Sequence, residues 1–441
     1  MMIEKNKSYV GTIEDLTLDG NGICKMDGFA VFIPATAVGD VVRFKAVKVQ
    51  KNYGYGVLEE IVEPSSARCE VDCPVFQQCG GCCFRHIEYK EELRLKEKAI
   101  KDAFQRIGGF SSEPDSIMGT DIPDYYRNKA QYPLGVNENG EAVAGFYAKR
   151  SHRLIASDHC KIQDERFTPI VQWVLDFVNR YHLSVYNEKT GQGLLRHIFL
   201  RVGRSSGEVM LCLVATEKKL PFREEFVAEL LTKFPAIKSV LINLNKSKTN
   251  VILGTKFFPI FGEDHINDTL LDTQFSIAPL AFYQVNKEQA ERLYTLAYQY
   301  AEFDGSELLI DLYCGIGAIG LAAYPHVNRL IGVESVAPAI ESAQYNAILN
   351  HAENAEFICT DAKTAARELV SQGVQPDVVI VDPPRQGCDR DVLESIIRMA
   401  PKKVIMISCD PATAARDCQI LSEKGFFLAK YQGVDMFPRT G

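Results

Sequence analysis

From residue 282 onward, five short apolar runs, "ELLIDLYC", "RLIGVES", "EFICTDA", "DVVIVDPP" and "KKVIMISC", alternate with helix-like segments. Runs of this length without polar alternation read as strands covered on both faces, and five in succession with helices between them imply a doubly wound parallel sheet. In such a sheet, ligands bind in the crevice outside the carboxyl ends of the strands. The candidates for chemistry therefore sit at those ends. They are the turn Asp311-Leu312-Tyr313-Cys314-Gly315-Ile316-Gly317-Ala318-Ile319-Gly320, then Glu334, Asp361, Asp382-Pro383-Pro384 and Ser408-Cys409-Asp410-Pro411.

Gly315, Gly317 and Gly320 match G-x-G-x-x-G, a pattern that lets backbone approach a cofactor and packs the helix onto the sheet. Alone it fits a dinucleotide or an adenosyl cofactor equally. Glu334 is placed to accept bonds from ribose hydroxyls, and Asp361 to meet an adenine edge. Asp382-Pro383-Pro384 tips the balance, because methyltransferases that use S-adenosylmethionine on planar bases frequently carry it and dehydrogenases have no general need of it. Each of these acids also suits a helix N-cap. Cys409 stands just ahead of a helix start, a place that favours negative charge and hence a reactive thiol.

The preceding residues are organised differently. Residues 8 to 62 contain five strand patterns broken at Asp19-Gly20, Asp27-Gly28 and Val38-Gly39-Asp40, which predicts a small OB-like barrel. It reads either as a structural appendage or as an RNA-binding module, with Lys45, Lys48, Lys51 and Tyr53 as contacts. Cys73, Cys79 and Cys82 then follow in the spacing C-x5-C-x2-C, which suits a soft metal or an iron-sulfur centre, with structural zinc as the alternative. Cys160 is the expected fourth ligand, ahead of the nearer Cys69 and Cys83. "YKEELRLKEKAIKDAFQRIGGF" predicts an amphipathic helix over 88–108. Residues 118 to 270 predict a mixed α+β region with a hairpin around Arg204 to Gly207. Within it, Tyr126, Arg127, Asn128 and Lys129 combine aromatic and basic side chains suited to RNA, although a solvated strand edge explains them as well. Asn286 reads as the cap of the helix that follows, with Gln289 at its third position.

The chain of 441 residues is 46% hydrophobic, enough for about three domains of roughly 100 to 200 residues each. There is no apolar signal region at the start and no run approaching ~18 apolar residues, so a cytoplasmic protein without a membrane span is expected. Thirteen cysteines in a reducing compartment point to metal or catalysis more than to disulfides. The net charge of −8 argues against nucleic-acid binding over the whole surface, but a local basic groove is compatible with it.

Together, "FYQVN", "DLYCGIGAIG", "DPPRQG", "SCDPATAARD", the cysteine spacing and the barrel resemble the RNA uracil-5-methyltransferase family over nearly the whole chain. The resemblance implies a multidomain α/β protein: a TRAM barrel over 1–62, a central α+β domain with an iron-sulfur cluster over 63–272, and a Rossmann-like methyltransferase domain over 273–441. Helix 88–108 is expected to pack on the last of these. The resemblance also implies a 4Fe-4S cluster on Cys73, Cys79, Cys82 and Cys160, S-adenosylmethionine contacts from Gln284, Tyr313, Glu334 and Asp382, and Cys409 as the nucleophile. Arg385 is assigned to substrate phosphate or to loop structure. The expected substrate is RNA, 23S ribosomal RNA ahead of tRNA, and the expected state is a monomer. Methylation of a base amino group and a noncatalytic RNA-binding role are the rival readings. In the family, the segment after "DMFPxT" continues into a strand bearing the glutamate that removes the carbon-5 proton. Here the sequence reads Phe437-Pro438-Arg439-Thr440-Gly441, so that strand and its base are expected beyond residue 441.

Overall fold

A computed structural model describes residues 3–149, 151–157 and 159–441. Strands β1 (Ser8–Leu16), β2 (Asn21–Met26), β3 (Phe29–Pro34), β4 (Val41–Val49) and β5 (Tyr53–Glu63) close into a barrel in the order β1-β2-β3-β5-β4. The period-2 pattern does this: on β4, Val42, Phe44 and Ala46 point inward while Arg43 and Lys45 face out. Asp27 and Gly28, at φ 49° and 82°, form the two-residue turn between β2 and β3 that their sequence predicts.

Helix α1 (Tyr89–Arg106) leads into β6 (Asp115–Met118) and then β7 (Lys129–Val136), β8 (Ala142–Tyr147), β9 (Leu154–Ala156), α2 (Phe167–Arg180), β10 (Leu195–Val202) and β11 (Val209–Ala215). After α3 (Arg223–Lys233), β12 (Ile237–Leu244) and β13 (Lys256–Gly262) complete a seven-stranded sheet in the order β13-β12-β11-β10-β7-β8-β9. Every residue of β10 and β11 is buried, and alternation explains why. Ile198, Leu200, Leu211 and Leu213 face α2 and α3, whereas Phe199, Met210 and Cys212 pack into the core of the C-terminal region.

The hairpin β14 (Ile266–Leu270) and β15 (Thr273–Ile277) precedes α4 (Lys287–Ala301). The expected domain boundary between 272 and 273 falls inside this hairpin's turn, where Leu271 and Asp272 take φ 47° and 63°. Paired strands cannot be divided, and Ile266, Leu270, Phe275 and Ile277 all share a core with α4. That boundary therefore moves ahead of β14.

The sheet that follows consists of β16 (Leu308–Leu312), β17 (Arg329–Glu334), β18 (Ala355–Cys359), β19 (Val378–Val381) and β20 (Lys403–Met406). All its pairings are parallel, in the order β18-β17-β16-β19-β20. Helices α5 (Ala318–Ala323), α6 (Ala337–Leu349), α7 (Ala362–Ser371), α8 (Arg390–Met399) and α9 (Pro411–Ser422) intervene, and β21 (Gln432–Val434) pairs with β6. Strand order reverses between β16 and β19, which opens the ligand crevice there. Among the described residues no helix is long and apolar enough to cross a membrane.

The segment after β21 ties these parts together. Asp435 accepts from Lys96 Nζ and the Tyr89 hydroxyl, at 2.8 and 2.9 Å, and Lys96 also donates to Glu92 at 2.8 Å. The Arg439 N–H donates to Glu92, and the Arg439 carbonyl accepts from the N–H groups of Cys83 and Phe84 at 3.0 and 3.1 Å. Glu92 and Asp435 are both buried. Removing this cation leaves buried Asp435 without its ion pair and Glu92 with only the Arg439 guanidinium at 3.7 Å, so Lys96→Met is expected to destabilise the protein by ~3–5 kcal/mol. Denaturant unfolding measures this; a loss below ~1 kcal/mol would put the pair in the class of surface ion pairs.

Candidate active site and cysteine centre

At the end of β16 the backbone turns through left-handed conformations, with Tyr313 at φ 69°, Gly315 at 56° and Gly317 at 83°. A tyrosine held there is strained, as residues in ligand-binding turns often are. A Cβ on Gly320 would lie 2.9 Å from the Asp311 carboxylate and 2.8 Å from Leu330, so only glycine lets α5 sit this close to the sheet. The Gly320 N–H donates to Asp311 Oδ2 at 2.9 Å, while Oδ1 is buried without a partner. Burial pushes the Asp311 carboxyl up to about 8; the Gly320 N–H opposes this, and the charges of Asp382 and Glu334 add to it. Sequence reasoning gave Asp311 no role, since only its surroundings distinguish it from a capping residue.

Glu334, the last residue of β17, accepts from the Gly315 N–H through Oε2 at 3.3 Å and from those of Ser335 and Val336 through Oε1 at 2.7 and 2.9 Å. It thus braces the glycine turn and keeps lone pairs for hydroxyl donors. Asp361 caps α7, with both oxygens on Thr364, and that hydrogen bonding holds its carboxyl below the usual range. Asp382 follows β19 and is half-buried; no described side chain or backbone group donates to its carboxylate, and burial pushes it up to about 6. Buried Tyr294 lies beside both the Gln284 side chain and Asp382, so Gln284 belongs to the same crevice. Two residues before Gln284, Phe282 is 65% exposed and offers an aromatic face.

Cys409 is exposed, between β20 and α9. Asp410 caps α9 by accepting from Ala412 and Thr413 at 2.8 and 3.1 Å, and the Ser408 hydroxyl donates to the Asp410 carbonyl at 3.0 Å. The thiol therefore projects from a rigid turn. The loop after Asp382 is fastened to the same helix: buried Asp417 accepts from the Cys388 N–H at 2.7 Å, and Arg416 donates to the Gln386 carbonyl at 3.0 Å. Arg385, at the tip of that loop, is exposed.

Cys73, Cys79, Cys82 and Cys160 line one cavity of about 290 Å³. Cys79 is held by the Gly80 N–H bonding to the Tyr147 carbonyl. The Gln163 N–H donates to the Cys160 carbonyl at 3.1 Å, which fixes the backbone at that cysteine. Burial pushes the Cys82 thiol up to about 12. Cys69 and Cys83 are elsewhere: the Cys69 thiol donates to the Arg85 carbonyl, and Cys83 packs beside Phe84 and Ala37. Among the described residues, no three His, Cys, Asp or Glu side chains converge as a single metal ion requires.

The RNA candidates separate. Lys48 Nζ sits 5.8 Å from the Tyr55 ring centre, and Phe32, Tyr53 and Tyr55 touch one another on the barrel near it. Lys45 projects outward from β4. Tyr126 and Asn128, in contrast, are 3% and 1% exposed and do not face RNA. Tyr126 donates to the Pro438 carbonyl and Asn128 to that of Gln284, so packing on both sides of the strand claims them. Arg127 and Lys129 line the cysteine cavity. Asn286 caps α4 through the Gln289 N–H as predicted, but the Gln289 amide reaches outward, to the Met118 and Asp435 carbonyls.

Residues 88–441 match the tRNA (uracil-5-)-methyltransferase family and residues 12–58 the TRAM domain. The chain is 41% identical over 438 residues to an uncharacterized RNA methyltransferase of Clostridium tetani, covering 99% of this chain and 95% of that protein. It is 42% identical over 439 residues to one of Bacillus cereus, with the same coverage. The crystal structure of Pyrococcus abyssi tRNA (uracil-54, C5)-methyltransferase in complex with S-adenosyl-L-homocysteine superposes with a TM-score of 0.78 at 26% identity, covering 98% of this chain and 97% of that one. With a TRAM barrel at one end and a Rossmann-like methyltransferase fold at the other, the chain belongs to the S-adenosylmethionine-dependent RNA uracil-5-methyltransferase family.

Proposed function

We propose that this protein methylates carbon 5 of a uridine in 23S ribosomal RNA, through a covalent bond between Cys409 and carbon 6 of the base. The carrying observation is the exposed thiol on the capped turn of α9, fastened through Asp417 and Arg416 to the loop that follows Asp382. Carbon 5 of uracil is a poor nucleophile and its proton is not acidic. Addition of the Cys409 thiolate to carbon 6 makes carbon 5 an enolate carbon able to take a methyl group; loss of the carbon-5 proton then expels the thiolate. S-adenosylmethionine, when bound, supplies that methyl on a sulfonium. Gln284, Tyr313, Gly315, Gly317, Glu334 and Asp361 hold it, and Asp382 faces the sulfonium side or the uracil edge. Methylation of an amino group needs no such nucleophile, which is why Cys409 decides between the chemistries. Ribosomal RNA is favoured by the barrel occurring together with the cysteine centre. The enzyme acts in the cytoplasm as a monomer, in three parts: barrel, central region and methyltransferase region.

The cysteine cavity fits a 4Fe-4S cluster. A zinc ion needs four sulfurs, each about 2.3 Å from one point, whereas a four-iron cube takes one thiolate at each of four separate corners. Four cysteines around one cavity, contributed by two segments distant in sequence, suit the cube. Bound there, it would hold the Cys73–Cys82 loop against Cys160.

Three outcomes test the reading. RNA substituted with 5-fluorouridine, incubated with the protein and S-adenosylmethionine, is expected to give a covalent band on denaturing gels, because fluorine cannot leave as a proton. Cys409→Ala should abolish the band, and comparing 23S ribosomal RNA with tRNA assigns the substrate; preference for tRNA would overturn that part. Protein purified without oxygen should be brown and carry about four irons; stoichiometric zinc without iron would replace the cluster. Finally, protonation of Asp382 near pH 6 removes the charge the site uses. Methylation kcat/KM should then fall with falling pH below that point, by up to about tenfold per unit, and Asp382→Asn should be much slower and lack the limb.

A further inference from the structure

Antiparallel pairing sets Lys129 of β7 directly opposite Arg201 of β10. Like charges facing each other across a ladder are destabilising, and more so when both are removed from water. Arg201 is fully buried and donates to the carbonyls of Ala278 and Ala281 at 3.0 and 2.8 Å, so dipoles rather than a carboxylate meet its charge. The Lys129 ammonium makes no hydrogen bond or ion pair with any described residue, and the Arg127 Nε is buried without a partner. Cations nearby are treated otherwise. Arg85 is paired with Asp72 and Asp124, and Arg204 with Asp164 and Glu288. Arg127 and Lys129 are thus without a carboxylate partner where they border the cavity lined by Cys73, Cys79, Cys82 and Cys160.

We propose that Arg127 and Lys129 are the cationic wall of the cysteine centre, compensating the negative charge of four thiolates on an iron-sulfur cube and raising its reduction potential, and that they do not contact RNA. The inference rests on the 4Fe-4S reading. A cube held by four thiolates is a net anion, more so when reduced, and net charge is one of the levers that set such potentials. A fixed cation beside it favours the reduced form. The same anion offsets the Lys129–Arg201 repulsion, so cluster and sheet stabilise each other.

The test is a dithionite titration of the full-length protein, purified anaerobically and followed by electron paramagnetic resonance. Lys129→Met should shift the midpoint to more negative potential, Lys129→Met with Arg127→Met further still, and Lys129→Arg should stay near wild type. Lys129→Gln serves where Lys129→Met fails to retain iron. In each variant the salt dependence of RNA binding should be unchanged. An iron-replete Lys129→Met protein with an unmoved midpoint overturns the assignment. So does a variant whose RNA affinity falls with a salt slope reduced by about one, which would make the partner a phosphate. Wild-type protein without iron overturns the cluster reading first, and this assignment with it.

Discussion

Lys96 is caught between two buried carboxylates, Glu92 one turn back on its own helix and Asp435 near the far end of the chain. A buried ion pair contributes little net stability, because desolvation cancels much of the attraction. What it contributes is geometry, since each charge tolerates one arrangement only. From this knot the Arg439 backbone reaches the cysteine loop, the Tyr89 hydroxyl reaches the Thr120 N–H, and Gln289 of α4 reaches Met118 and Asp435. The cysteine loop, α1 and the methyltransferase region are positioned by one group of side chains and the short segment it anchors.

The central sheet completes that arrangement by having no free face at β10 and β11. One side packs α2 and α3, and the other supplies Phe199, Met210 and Cys212 to the core beneath β14, β15 and α4. Arg201 on the same strand bonds the carbonyls of Ala278 and Ala281, just ahead of Phe282 and Gln284. Residues of the 278–286 segment, Gln284 among them, are therefore placed by the central sheet as much as by their own. The crevice combines pieces from both regions.

Much of this is legible in the sequence because local rules suffice. The barrel's alternation, its Asp27-Gly28 turn, the five parallel strands and the Asn286 cap each follow from a few adjacent residues. What escaped depends on residues distant in sequence. "YRNKA" has the composition of an exposed basic strand, yet both sides of the segment leading into β7 are claimed: Tyr126 and Asn128 by packing, Arg127 and Lys129 by the cysteine cavity. Strand alternation says which residues share a face, not what covers it. Asp311 and Gln289 likewise owe their roles to groups that only the tertiary fold brings near. The boundary at 272 was misplaced because an apolar hairpin looks the same whichever core receives it.

The attachment of residue 439 to the cysteine loop runs through main chain on both sides, the Arg439 carbonyl accepting from the Cys83 and Phe84 N–H groups. On the loop's side such a link is blind to side-chain identity. At 83 and 84 only a proline deletes a donor outright, whereas Arg439, at φ 67° and with its guanidinium on the Ile87 carbonyl, supplies the acceptor. The ion group around Lys96 has the opposite character, because a single exchange disables it. Mutational drift would therefore be registered at the helix and tolerated at the loop, so the two halves of one junction are free to diverge at different rates.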